Sequence, residues 1–171
     1  MPYTPADLSD TERSLIAAVQ EGRIWNAQAA RPTPKQLADP AFVQNLPAIR
    51  GSTIRSLCLG LWDDVRADPR GVQIQGARIV GEFDMSVVNG QFQAVLLSCF
   101  IEQRLVVLHA RLPALYLNGS YLSQGLAGDG LKIDGNLSFR FGFASTGELR
   151  LLGATIGGKV VQHWTAVMLL R

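Results

Sequence analysis

The stretch Gly71-Val-Gln-Ile-Gln-Gly-Ala-Arg-Ile-Val-Gly-Glu-Phe-Asp-Met85 decides how this chain of 171 residues is read. Apolar residues stand two apart, as on one face of a strand. After each pair the pattern steps past a small or polar residue and begins again. The skeleton returns in Gly125-Leu-Ala-Gly-Asp-Gly-Leu-Lys-Ile-Asp-Gly-Asn-Leu-Ser-Phe139 and in Glu148-Leu-Arg-Leu-Leu-Gly-Ala-Thr-Ile-Gly-Gly-Lys-Val-Val-Gln162. Self-similarity at a fixed period is the mark of a repeat architecture.

Working outward, apolar pairs at n and n+2 begin at 72, 77, 83 and 88, then at 94, 99, 105 and 110, and so on to 160. Each step is five or six residues, so four steps make a turn of 21 to 23. Stacked turns align in character. One column holds Val72, Ala94, Leu115 and Leu137; the next holds Ala77, Cys99, Ser120 and Phe143. The third holds Phe83, Leu105, Leu126 and Leu149; the fourth holds Val88, Ala110, Leu131 and Ala154. The pattern predicts a mainly β fold, a β-helix with four short sides and about four turns. At the usual strand spacing these make a rod of roughly 20 Å. No single turn can close a core, so stacking itself supplies the burial.

The composition agrees. Hydrophobic residues are 47% of the chain, charged residues 18%, and glycine occurs 17 times. Such a chain is not disordered. A net charge of +2 points neither to nucleic-acid binding nor to an acidic surface. Glycines such as Gly76, Gly81 and Gly130 fall near the predicted corners.

Residues 1–70 follow another grammar and are predicted to be a helical cap and linker, with the β-helix over 71–171. Ser9-Asp-Thr-Glu12 is a capping box ahead of Leu15, Ile16 and Val19, with Gly22 at the helix end. Asp39-Pro40 opens a short helical segment, Ala41 to Leu46, and Ser52 is expected to cap a third helix bearing Ile54, Leu57 and Cys58. Trp62 to Arg70 reads as loop. The N-terminus lacks a basic region followed by an apolar one, and the longest charge-free stretch, Leu112 to Gly128, is broken by polar residues. A cytoplasmic protein without a membrane span is expected.

A five-residue step with a small residue two before a large apolar one resembles the pentapeptide-repeat proteins. Ala77-Arg-Ile79, Cys99-Phe-Ile101, Ala110-Arg-Leu112, Ser120-Tyr-Leu122 and Ala154-Thr-Ile156 carry the resemblance, over residues 71 to 165. The family's Ala-Asp/Asn-Leu signature is never complete here, and steps of six are interleaved. The resemblance implies a right-handed quadrilateral β-helix and a bacterial, non-enzymatic scaffold for a protein partner. Some members bind DNA gyrase as duplex mimics, which requires a strongly negative flank. From residue 71 onward this chain carries six acids, Glu82, Asp84, Glu102, Asp129, Asp134 and Glu148, and more basic residues than acids. The Gly76 to Met85 segment also looks like bacterial pentapeptide-like proteins labelled membrane-associated oxidoreductases, yet no redox motif accompanies it.

No catalytic, metal or cofactor-binding residue is assigned, and no cofactor is expected. His109 and His163 lie too far apart along the rod to share a metal. Cys58 and Cys99 fall on apolar faces and read as structural thiols. Gly125, Gly128 and Gly130 have the wrong order for a dinucleotide loop. Glu82 with Asp84, and Asp129 with Asp134, are acid pairs of the kind carbohydrate-active β-helices use, although a solvated corner explains them as well. Arg111 and Lys132 stand one turn apart on side four. Outward positions are more informative. Val95, Phe100, Tyr116 and Tyr121 form an apolar patch along one edge, met either by a partner or by the N-terminal helices. A fifth turn starts at Val160 and does not close. Trp164, Val167, Met168, Leu169 and Leu170 are therefore expected to join two chains end to end as a homodimer, unless the chain continues as a longer array.

Overall fold

The computed structural model describes residues 4–27 and 30–162. The predicted alternation closes into a parallel β-solenoid of about four turns, built from four sheets. Side one stacks Val72–Gln75, Ala94–Leu97, Leu115–Tyr116, Leu137–Phe139 and Val160–Gln162. Its register is the predicted column: Val72 pairs with Ala94, Ala94 with Leu115, Leu115 with Leu137 and Leu137 with Val160. The other sides follow suit, with Ile79 beside Ile101 and Leu122 on side two, and Phe83 beside Leu105, Leu126 and Leu149 on side three. On side four Leu112 pairs with Ile133, and Ile133 with Ile156.

Burial explains why these short strands hold. Ile74, Ile79, Leu96, Ile101, Leu117 and Leu131 are wholly buried inside the coil. Each such side chain contributes about 1.5–3 kcal/mol on leaving water. Phe139 and Phe143 fill the fourth turn, with ring centroids 4.9 Å apart. The one polar inward residue of the second column, Ser120, is fully satisfied. Its Oγ donates to the Leu96 carbonyl at 2.9 Å and accepts from the Cys99 amide at 3.0 Å.

The N-terminal segment contains helices, as predicted, and also strands, which were not. Helix α1 is Asp10–Glu21, with the Ser9–Glu12 capping box formed and Gly22 left-handed at its end. Strand β1, Trp25–Asn26, adds to side one at Ile74, and β2, Ala48–Arg50, adds to side two at Arg78. Each is two or three residues long, too short to display an alternation. Helix α2 is Pro34–Leu37, closed by a Thr33–Gln36 capping box, and α3 is Pro40–Val43, capped by Asp39. The segment to Leu46 finishes in turns rather than helix. Helix α4 is Gly51–Leu59; its cap is Arg50, which caps through no side-chain bond, and not Ser52. The extended residue at the helix boundary belongs to β2, so the ladder and not a serine sets where α4 starts.

These elements make a partial turn ahead of the first. α4 lies on Phe83 so closely that a Cβ on Gly51 would come within 2.7 Å of the Phe83 Cβ. Leu15, Ile54, Leu57 and Cys58 join the same hydrophobic cluster as the solenoid columns. Between β1 and β2 the chain runs along the rod: Pro32 packs at Gly76 in the first turn and Pro34 at Gly142 in the fourth. It then returns across side two through α2 and α3.

Two corner columns are left-handed. One is Gly76, Ser98, Gly119 and Phe141; the other is Val87, His109, Gly130 and Gly153. Glycine therefore occupies only part of the positions that need positive φ. Val87, His109 and Phe141 are the exposed exceptions, Val87 at 78% and Phe141 at 61%.

Candidate functional site

Eight charged side chains of the solenoid pair with each other, and four outward apolar side chains gather at one edge. The pairing is between turns. Arg111 meets Asp134 at 3.0 Å, Arg150 meets Asp129 at 2.8 Å, Arg78 meets Glu102 at 3.7 Å and Arg104 meets Glu148 at 3.8 Å. Donating hydrogen bonds to the Asp134 carboxylate raises the pKa of the Arg111 guanidinium above its usual value. Asp129 and Asp134 thus face arginines and not each other, and Arg111 is already engaged beside Lys132.

Glu82 and Asp84 flank the buried Phe83, as the alternation required, and line a cleft of about 590 Å³. Arg50, Ser52 and Arg55 face them across it. Hydrogen bonds from Ser86, then the charge of Arg55, hold Asp84 below the usual carboxylate range. That acid is held as an anion, the state of the nucleophile or base and not of the general acid in two-carboxylate hydrolysis. Arg50 and Arg55 lie on the cap, and nothing in the spacing of the repeat could have brought them here.

The histidine and cysteine readings also have places. His109 sits exposed at a left-handed corner, and His163 lies outside the described residues. Cys58 and Cys99 are completely buried, and burial pushes both thiols up to about 12. Neither forms a thiolate at neutral pH. Among the described residues no group of three or more His, Cys, Asp and Glu is arranged to hold a metal ion. Nor is any helix among them long and apolar enough to cross a membrane.

The four apolar edge residues come together as two register pairs. Val95 stands beside Tyr116 on side one, and Phe100 beside Tyr121 on side two. The rings of Phe100 and Tyr121 stack, with centroids 5.6 Å apart and planes 13° from parallel. Here the N-terminal segment intervenes. Leu37, Val43 and Leu46 bury themselves on the Phe100–Tyr121 pair in a small cluster separate from the main core. The cover is incomplete, since a groove of about 330 Å³ remains, lined by Leu37, Val43, Phe100, Tyr121, Arg78 and Glu102 among others. Val95 and Tyr116 are half-buried and outside that cluster. The Tyr116 hydroxyl accepts a bond from Asn136 Nδ2 at 3.4 Å. The end-to-end contact residues Trp164, Val167, Met168, Leu169 and Leu170 lie outside the described residues.

Comparison with protein-family models, with curated proteins and with solved structures gives no significant match. The class the fold defines is a parallel β-solenoid with helices near its N-terminus. Any functional reading rests on the geometry of this chain.

Proposed function

We propose that the protein is a non-enzymatic interaction scaffold of the pentapeptide-repeat type, and that the edge formed by Val95, Phe100, Tyr116 and Tyr121 meets a protein partner. The supporting observation is the register itself, which sets two apolar pairs on adjoining sides of the rod. Aromatic side chains in such an array are the ordinary anchors of protein interfaces. The inter-turn ion pairs favour this reading over the two alternatives. Acids neutralised by arginine do not imitate a phosphate backbone for gyrase, and Asp129 and Asp134 are not a free carboxylate pair for sugar chemistry. A photo-crosslinking residue at Tyr116 is the test. It should give a discrete adduct in a cell lysate, competed by purified protein and absent when the crosslinker stands at Lys132 on side four. Indistinguishable adducts from both positions would overturn the assignment.

A homodimer through the C-terminal end belongs to the same proposal. Inward residues of the first three turns are buried, whereas Ala154 and Ile156 in the fourth are only half-buried, and Leu152 and Val160 are exposed at 52% and 47%. Light scattering should return twice the chain mass, falling to one chain for Leu152→Glu/Val160→Glu. A single-chain mass for the unaltered protein at high concentration defeats the dimer.

A further inference from the structure

We propose that residues 31–46 are a hinged strap that lifts from side two as one unit and uncovers the Phe100–Tyr121 stack. The inference comes from how the segment is held. Both ends are fixed by ladder bonds. Ala27 N–H donates to the Gln75 carbonyl next to β1, and Arg78 N–H donates to the Pro47 carbonyl next to β2. Between these hinges, among the described residues, a single hydrogen bond joins the segment to the solenoid, from Arg31 Nε to Gln75 Oε1 at 3.1 Å. No ion pair joins them there.

The segment meets its own backbone needs. Thr33 and Gln36 cap α2 reciprocally, Asp39 Oδ1 accepts from the Ala41 amide at 3.0 Å, and the Asn45 side chain donates to the Ala41 carbonyl at 3.0 Å. Lifting it therefore strands no buried backbone group, which is the usual obstacle to opening a packed segment. What opposes the motion is apolar contact, by Pro32 and Pro34 at the corner glycines Gly76 and Gly142 and by Leu37, Val43 and Leu46 in a cluster separate from the main core and above a groove of about 330 Å³. Few buried apolar contacts and no shared ladder are the marks of the low-stability end of a structure. The strands beneath differ: the Glu102 amide donates to the Ile79 carbonyl and the Ser123 amide to the Ile101 carbonyl, turn upon turn.

Opening presents Phe100, Tyr121 and Arg78 beside Val95 and Tyr116. The strap then sets how much of the proposed contact edge is available. That consequence rests on the contact-surface reading above, but the opening itself does not.

Thiol labelling reads the motion. Leu37 is 1% exposed, and the chain carries two internal standards, Cys58 and Cys99, each fully buried. In Leu37→Cys, whose fold is checked by circular dichroism, Ellman's reagent should modify residue 37 at least a hundredfold faster than Cys58 or Cys99, and well below the rate of a free cysteine. Hydrogen exchange on the unaltered protein supplies the second measurement. Unsupported single-turn helices melt, so the amides of Leu37, Ala38 and Val43 should exchange at least a hundredfold faster than those of Glu102 and Ser123. Equal rates across strap and strands mean that the segment opens only with the whole molecule, and labelling at the free-cysteine rate means that it is never closed. Either result overturns the strap. Loss of the Tyr116 crosslink alone leaves these rates unchanged and counts only against the contact edge.

Discussion

Arg50 grips Glu12 with both arms of its guanidinium, Nε to Oε1 and Nη2 to Oε2, each at 2.9 Å. The Arg50 amide, the Thr53 hydroxyl and the Ser9 amide complete the shell of the carboxylate. One side chain thus closes the capping box of α1 and ties that helix to β2 and the first turn of α4. Glu12→Gln should lower stability by about 2–3 kcal/mol, since the arginine, more than a third exposed, is left partly rather than wholly unpaired. The urea midpoint measures it.

The same contact has a pH signature. Burial by itself would raise the Glu12 carboxyl, but the bonds from Arg50, Thr53 and Ser9 outweigh it and bring it from the usual 4.5 to about 2. A depressed folded value means that the stabilisation is complete above pH 4.5 and fades as pH falls toward 2. The difference in midpoint between wild type and Glu12→Gln should therefore shrink over that interval. A difference that stays constant through it would assign the effect to packing.

Ser120 repeats the arrangement on a smaller scale inside the coil, with both its bonds going to backbone groups of the preceding turn. Ser120→Ala fits the volume and strands the Leu96 carbonyl and the Cys99 amide. The expected loss is about 1–3 kcal/mol. An unchanged midpoint would mean that the two groups find other partners.

How legible these features were follows from what repeats. Val72, Ala94, Leu115 and Leu137 could be stacked from the sequence because an interior position constrains its residue type on every turn, and the structure keeps that register. Trp25 and Ile49 occupy the corresponding places before the first turn, but each stands alone between loops and helices with no second copy to align. Arg111 and Asp134 are 23 residues apart and acquire meaning only once the register makes them neighbours. The edge of Val95, Phe100, Tyr116 and Tyr121 could be listed from alternation. That α2 and α3 would lie on half of it could not, because no repeat links Leu37 or Val43 to the turns they cover.

Val87 is the clearest place where searching for glycine misses a left-handed corner. Its φ is 58°, it is β-branched, and 78% of it faces solvent. The positive φ costs an L-residue about 1–2 kcal/mol. Asparagine tolerates that conformation, and the Val87 amide bond to the Leu108 carbonyl needs no side chain. Val87→Asn should stabilise the protein by about 0.5–1 kcal/mol, seen as a rise in melting temperature. A fall would show that the exposed valine is held by something other than the corner.

Gly125 and Gly81 separate two reasons for glycine in this coil. Both have positive φ, 77° and 69°. A Cβ on Gly81 would meet nothing within 4 Å, so Gly81→Ala carries conformational strain alone. Its expected cost is about 1 kcal/mol. At Gly125 the added carbon would run into the Glu148 carbonyl oxygen and lie 2.9 Å from the Glu148 nitrogen, on the adjacent turn. Backbone cannot move aside there, because the Leu126 amide donates to that same carbonyl. Gly125 is also the residue over which Arg104 reaches toward Glu148, two turns along the rod. Gly125→Ala should therefore part the third and fourth turns, with a loss well beyond that of Gly81→Ala and a weaker bond at Leu126. Parallel melting curves for the two variants decide it, and exchange at the Leu126 amide locates the damage. Equal losses would reduce Gly125 to an ordinary left-handed corner and leave the close approach of the turns without energetic weight.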